Sequence, residues 1–500
     1  MRAAAERGRN PVLWQWTALL QRSLDEHEAA LASFAQAARL APDDFKIAHG
    51  YAHTAMEAGL DAVALFEQAR ALAPRNEAVL IGLAAAEAAV GRGDAGAERL
   101  RQALDGSPMW LRGHEQLGQL LSTLGRGSEA TQSLERAIAS FPRQPMLRET
   151  LLNLELRSGR YERLKELVDQ SRAAGVDLPD FAFYEAIYAA EHDDAVYPEA
   201  LFGPASGPFD EALATWRVRH LLRVGEPAAT LPILDRGLGG SQSAELWAYA
   251  ATVWRMVGDQ RFEWLTGQPA LVQVIDLGSA LPSLDELAAF LRTLHRARGE
   301  YLDQSVRGGT QTDGPLFSRI DPLIRQVRAA AVSAVEDYVR NLPPIDARHP
   351  MLGRRRDRPV RFSGSWSVRL RSGGKHSNHV HPQGWISSAL YIALPARTAD
   401  ECDDAGWFTV GDPDERLGLS IGPSRAIEPI PARLVLFPSY LWHGTIPFSE
   451  GERLTIAFDV QPPLWPPLVE AVLPSGPCSN NIRDSDKRSE KTEPSDGLAH

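Results

Sequence analysis

His379 and His381 stand two residues apart in the segment His376-Ser-Asn-His379-Val-His381-Pro-Gln-Gly-Trp385. Alternate residues of a strand project to one face, about 7 Å apart along the backbone, so both imidazoles can grip one metal ion. A third histidine, His443, ends the run Leu434-Val-Leu-Phe437-Pro-Ser-Tyr-Leu-Trp-His443, an apolar strand entering a turn. Ten residues on, Arg453-Leu-Thr455-Ile-Ala-Phe-Asp459 reads as a strand that opens on an arginine. Each stretch alone also has a plainer reading. A His-x-His pair can be incidental, His443 beside Trp442 can be a packing residue, and Arg453 can be an exposed charge on a strand edge.

These residues need strands to aim them, and from Ser363 onward the patterning is β. Trp366, Val368 and Leu370 alternate with Ser365, Ser367 and Arg369, and Ile386–Leu394, Leu434–Phe437 and Leu454–Val460 are further strand candidates. Glycine- and proline-rich breaks separate them, as in a β-sandwich or barrel. The Gly-Pro break at Trp264–Pro269 is followed by a strand at Leu271–Leu277 and then two helices. The first opens with the capping box Ser283 and Glu286 and aligns Leu287, Phe290, Leu291 and Leu294. The second aligns Ile324, Val327, Ala331 and Val335. Between them, Asp303–Thr312 has no apolar period and reads either as a solvated connection or as a donor-rich loop folded over a site. The arginines Arg354, Arg355, Arg356, Arg358 and Arg361 read as a solvated loop or as a contact for an acidic substrate.

The first third has a different grammar. Pro42, Pro74, Pro108 and Pro142 are 32, 34 and 34 residues apart. Twelve residues before each stand Ala30, Ala62, Gly96 and Ala130; eight before, Phe34, Phe66, Leu100 and Leu134; five before, Ala37, Ala69, Ala103 and Ala137. Small residues let two helices approach, the large apolar residue fills the gap, and proline ends the second helix. This 34-residue unit resembles the tetratricopeptide repeat, which implies an α-solenoid presenting a surface to a peptide or protein; a purely structural or dimerising arm is the alternative. A fifth unit is expected over Met146–Ala174, with Gly159-Arg160-Tyr161 as its turn. The scattered His27, His49, His53 and His114 read as surface or packing residues.

Five hundred residues exceed one hydrophobic core, and 44% apolar with 23% charged residues is ordinary globular composition. A net charge of −11 disfavours general nucleic-acid binding. Two cysteines, Cys402 and Cys478, exclude a disulfide framework or thiolate metal site. No window is apolar enough for a membrane span and no signal-peptide core follows the N-terminus, so the expected location is cytoplasmic.

In the C-terminal region, Gln304–Thr312, Gly364-Ser-Trp-Ser367, His379-Val-His-Pro-Gln-Gly-Trp-Ile386 and Leu436-Phe-Pro-Ser-Tyr-Leu-Trp-His443 resemble a bacterial group of 2-oxoglutarate–iron oxygenases, often found behind tetratricopeptide repeats. The resemblance covers about 200 residues. It implies a double-stranded β-helix (jelly-roll), iron(II) held by His379, His381 and His443, and 2-oxoglutarate as co-substrate. Arg453 would hold the far carboxylate, since its planar fork suits that group, with Thr455 adding a hydroxyl. Asn378, Tyr391 and Arg369 are further candidates near the co-substrate, each with a plainer reading as a wall or core residue. The common facial triad has a carboxylate where this sequence has His381, so His381 is either a ligand or a residue behind one.

The expected chain is therefore a multidomain α + β protein. It comprises a repeat array at 10–178, degenerate repeats or a capping bundle at 179–262, a double-stranded β-helix with flanking helices at 263–475, and a disordered tail at 476–500. The expected activity is oxidation, by hydroxylation in the usual case, of an unknown substrate, with O2 consumed and the repeats recruiting a protein or peptide; neither nucleic acid nor membrane is expected as a partner. A cupin-like metal enzyme without 2-oxoglutarate, or a non-catalytic repeat scaffold, are the other readings.

Overall fold

The computed structural model describes residues 10–192, 202, 209–239, 243–302, 304–396, 398 and 400–463. The expected disordered tail, like the first nine residues, lies outside them. Helical hairpins come first: Pro11–Ser23 with His27–Leu40, Phe45–Glu57 with Val63–Leu72, Glu77–Ala89 with Gly93–Gly106, and Leu111–Thr123 with Gln132–Ser140. Pro145–Arg157 and Glu162–Ala173 form the fifth pair. The periodic residues do what their types require. Phe34, Phe66, Leu100 and Leu134 are at most 1% exposed. A Cβ on Gly96 would lie 2.7 Å from the Ala84 carbonyl oxygen, so only glycine permits that helix approach.

The turns of the second to fifth hairpins carry a glycine of positive φ at the same period, Gly59, Gly91, Gly125 and Gly159, and the first turn carries Asp25 in the same conformation. This edge of the array docks on the C-terminal region. Arg319, Arg296, Arg298 and Arg416 lie against the four glycines in turn. Backbone bonds fix the contact: Ile320 N–H donates to Ala58 O at 3.1 Å, and Arg298 N–H to Thr123 O at 2.8 Å.

Further helices, Phe181–Glu191, Glu211–Arg223, Leu231–Leu238, Ala244–Val257 and Arg261–Thr266, join the array to the β region. Helix Ala244–Val257 shares one hydrophobic core with the strands, from Val218 through to Val460. Trp442, beside the third histidine, donates its indole N–H to Ala248 O at 3.2 Å and Thr252 Oγ1 at 3.1 Å of that helix.

Among the described residues, nine strands make the double-stranded β-helix: β1 Gln273–Asp276, β2 Val306–Gln311, β3 Phe362–His376, β4 Ile386–Ala393, β5 Phe408–Val410, β6 Arg425–Ile427, β7 Arg433–Pro438, β8 His443–Thr445 and β9 Glu452–Val460. The six-stranded sheet has the order β1-β7-β4-β9-β3-β2, and β6-β5-β8 form the smaller one. All pairings are antiparallel. The helices Leu284–Leu294 and Pro322–Arg340 flank the sheets, with Ser283 capping the first.

Two expectations need correction. Most of the segment read as a loop, 303–312, is strand β2, paired with β3 and irregular where Gly308 takes a positive φ, although Gln304, Ser305, Arg307 and Gln311 do line a cavity. Its backbone is satisfied by a neighbour, which a missing apolar alternation cannot reveal. The arginine cluster is structural in good part: Arg356 donates to the Leu342 and Pro343 carbonyls, Arg355 pairs with Asp357, and Arg361 reaches Asp25 of the array.

Candidate metal and anion site

Antiparallel pairing sets the site between the two sheets. His379 and His443 exchange both backbone hydrogen bonds at 3.0 Å, and His381 N–H donates to Ser439 O at 3.1 Å. Two chain segments more than sixty residues apart in sequence are thereby held side by side. Gly444 makes room: a Cβ there would sit 2.1 Å from Asn378 Oδ1.

The three imidazoles are held in one tautomer. His379 Nδ1–H donates to Ser377 O at 2.8 Å and His443 Nδ1–H to Leu441 O at 3.0 Å. His381 Nδ1–H donates to Asp459 Oδ2 at 2.5 Å. Acceptors on all three Nδ1 atoms leave Nε2 of each ring as its ligand atom, with Ser305 Oγ 3.1 Å from that of His379. Ligand atoms of the three residues lie within 4.8 Å of one another. The Nε2 atoms of His379 and His381 are 3.1 Å apart. Two lone pairs at that distance repel unless a cation lies between them. Nitrogens on adjacent positions of one octahedral ion, each about 2.1 Å from it, would be about 3 Å apart. Burial, then the neighbouring His381, pushes His379 down to about 3, and burial with His379 holds His443 well below its ordinary value. Both rings are therefore neutral at pH 7, as ligation requires. The donor set fits a borderline ion such as iron(II), with coordination positions left over.

On β9, side chains at alternate positions face one way. Leu454, Ile456, Phe458 and Val460 are at most 2% exposed in the core, while Arg453, Thr455, Ala457 and Asp459 line the cavity that holds the histidines. Arg453 is 2% exposed, and among the described residues no carboxylate pairs with it. Its Nε and the Tyr391 hydroxyl are buried without a well-formed hydrogen bond. Arg453 stacks over the Tyr391 ring, 5.1 Å from its centroid. Burial depresses the guanidinium, and Tyr391 only partly offsets this. A buried cation without a counter-charge is costly, and an anion entering the cavity would supply one.

The other candidates separate. Thr455 lies on the cavity face two residues from Arg453, opposite Tyr391 in register. Asn378 also lines the cavity, but its amide donates to Asp412 Oδ2 and Pro413 O, each at 3.1 Å, bracing the loop beside His379. Arg369 is tied to Glu452, away from the metal ligands. Sequence reading missed Asp459, Ser305 and Trp366 as site residues. Ser305 Oγ lies 3.1 Å from both His379 Nε2 and His376 Nδ1, and Trp366 stacks on His381 with centroids 5.5 Å apart.

The cavity is about 1210 Å³ and is walled from both halves of the molecule. Ser122, Gly127 and the hairpin turn Leu156–Tyr161 of the array face it, opposite the histidines and Arg453. Arg416 joins the walls, donating to the Tyr161 hydroxyl at 2.7 Å and pairing with Asp414 at 2.9 Å.

Residues 364–459 match the model of a family described as "Putative 2OG-Fe(II) oxygenase". No curated protein matches the chain. Among solved structures, a prolyl-4-hydroxylase from Pseudomonas putida is similar at 17% identity, over 38% of this chain and 92% of that one, with a TM-score of 0.25. A viral collagen prolyl hydroxylase from Paramecium Bursaria Chlorella virus-1 is similar at 13% identity over 39% and 97%, with a TM-score of 0.26. On the helical side, YrrB, a TPR protein with an unusual peptide-binding site, is similar at 18% identity over 37% and 96%, with a TM-score of 0.24. The segment that the family model matches thus lies in the strand region, behind the helical-repeat array. Among the described residues, no helix is long and apolar enough to cross a membrane.

Proposed function

We propose that the chain is an iron(II)- and 2-oxoglutarate-dependent oxygenase that hydroxylates a polypeptide segment presented in part by the repeat array. The observation that carries this reading is the pairing, in one cavity, of three converging Nε2 lone pairs with a buried, unpaired Arg453. His379, His381 and His443 would hold the iron. Arg453 and the Thr455 hydroxyl would hold the far carboxylate of 2-oxoglutarate, with Tyr391 beneath the guanidinium. When bound, the iron and co-substrate supply an oxidation in which one atom of O2 enters a C–H bond, the other enters succinate, and CO2 leaves.

The protein's part is positional. Ser377, Leu441 and Asp459 accept from Nδ1 of the three rings and so leave Nε2 of each as the atom offered to a metal. Burial of Arg453 strengthens its attraction for a carboxylate, because little solvent screens the pair. The cavity, about 1210 Å³, leaves room for a substrate beside the co-substrate, since single small-molecule pockets are typically about 300–1,000 Å³. A wall made by the array would let the repeats read the same segment that the histidines face.

Anaerobic addition of iron(II) and then 2-oxoglutarate to the full chain tests the assignment. A weak visible charge-transfer band is expected. Iron uptake with no spectral response to 2-oxoglutarate, and no succinate formed in air, would favour a cupin-like metal site, in which Arg453 has no role.

A further inference from the structure

Three neutral imidazoles leave the full charge of a divalent ion unbalanced by protein at the position where the common triad supplies a carboxylate. A carboxylate is nevertheless present, one residue further out. Asp459, 8% exposed on the cavity face of β9, accepts the His381 Nδ1–H at 2.5 Å. Its other oxygen is fixed by the Ser387 hydroxyl at 2.7 Å, and Ser387 lies 2.8 Å from Ser439 Oγ. Ser387 is directly opposite Asp459 in the β4–β9 register, so the sheet itself sets this contact. Gly384 leaves the space: a Cβ there would lie 2.3 Å from Ser439 Oγ and 3.5 Å from Asp459 Cβ. Trp366 stacks on the His381 ring, which joins this carboxylate to the cluster.

We propose that Asp459 is a positioning residue that acts on the metal through His381, supplying the negative charge that the ligand set lacks. The proposal rests on the iron reading above. A carboxylate on Nδ1–H makes Nε2 more electron-rich and fixes the ring plane, and such outer partners change metal affinity about 10–100-fold. The Ser387–Ser439 pair keeps the carboxylate from turning away. His381 is on this account a ligand made anion-like by its neighbour, in place of an anionic ligand.

Cobalt(II) binding to the full-length apoprotein, followed by its visible ligand-field bands, tests this without turnover. Asp459→Asn keeps an acceptor for Nδ1–H and removes the charge. Cobalt affinity is expected to fall about 10–100-fold with altered bands. In a His381→Gln background the same change should have little further effect, because the path through His381 is already cut. Should Asp459→Asn not fold, Ser387→Ala, which only frees one carboxylate oxygen, is expected to weaken cobalt in the same direction by a smaller factor. Unchanged affinity and spectrum in Asp459→Asn, or an equal loss with and without His381, would overturn the proposal. Wild-type protein that takes up neither cobalt(II) nor iron(II) would instead overturn the reading on which it rests.

Discussion

Arg219 and Arg453 are both nearly excluded from water, at 3% and 2% exposure, but their surroundings are opposite. Arg219, at the junction of the helices and the barrel, pairs with Glu191 and with Asp414 at 2.9 Å and donates to the Tyr249 hydroxyl at 3.1 Å. Burial works to depress its guanidinium, yet Tyr249, Asp414 and Glu191 outweigh it and hold the group well above its ordinary value. Arg453 has an aromatic ring and, among the described residues, no carboxylate, and its guanidinium is depressed. Arg219 Nη2 and Arg453 Nε each lack a hydrogen-bond partner, so the difference lies in the counter-charges. A buried cation with carboxylates beside it marks an interface that is already complete, and one without them marks a place left for an anion.

This contrast separates stability from binding, and variants can break it. Arg219→Ala would strand the Glu191 and Asp414 charges in a dry junction and should cost about 3–5 kcal/mol of stability. The urea midpoint should fall sharply, while the 2-oxoglutarate affinity of the protein that remains folded stays near wild type. Arg453→Met should do the reverse. Truncating one partner of a buried charge pair costs roughly 2–5 kcal/mol of binding, so 2-oxoglutarate affinity should drop about thirty-fold or more. Its urea midpoint should not fall, since an uncompensated buried charge is removed. A destabilised Arg453→Met protein with normal co-substrate affinity would erase the distinction.

Acid should probe the junction more gently. His349, 1% exposed between Trp264 and Tyr440, accepts the Met351 and Leu352 N–H groups on Nδ1 and donates from Nε2 to Leu265 O. Burial pushes it down to about 4. The unfolded chain therefore takes up this proton first as pH falls. The contribution is intact above about pH 6.5 and is lost towards pH 4, at about 1.4 kcal/mol per pH unit. Urea titrations at pH 7 and pH 5 should show a shallower dependence in His349→Gln than in wild type. The smallest effect is expected at the exposed Arg325–Glu28 pair, 2.7 Å apart across the docking surface. Arg325→Ala should change stability by about 1 kcal/mol or less, because solvent and salt screen such pairs.

The repeat array was legible because its packing rule is local: proline, small residue and large residue recur at fixed steps, and Phe34 and Phe66 fill the gaps those steps imply. The histidines and Arg453 were visible for a related reason, since strand alternation assigns a face before any partner is known. What pairs with that face was not visible. Asp459 lies 78 residues from His381 and Ser305 lies 74 from His379, and no spacing rule spans those distances. One signal did exist: Asp459 stands six residues after Arg453, an even step that puts both on one side of β9. The Arg219–Asp414 contact spans 195 residues and depends on how two halves dock, which composition and period do not encode.

The most direct test is calorimetric titration of 2-oxoglutarate, under argon, into iron(II)-loaded wild type and Arg453→Met. The account predicts one co-substrate per chain in the wild type, with binding lost or weakened about thirty-fold or more in the variant while both hold iron equally. Equal 2-oxoglutarate binding by the two proteins, or none by either, would contradict it.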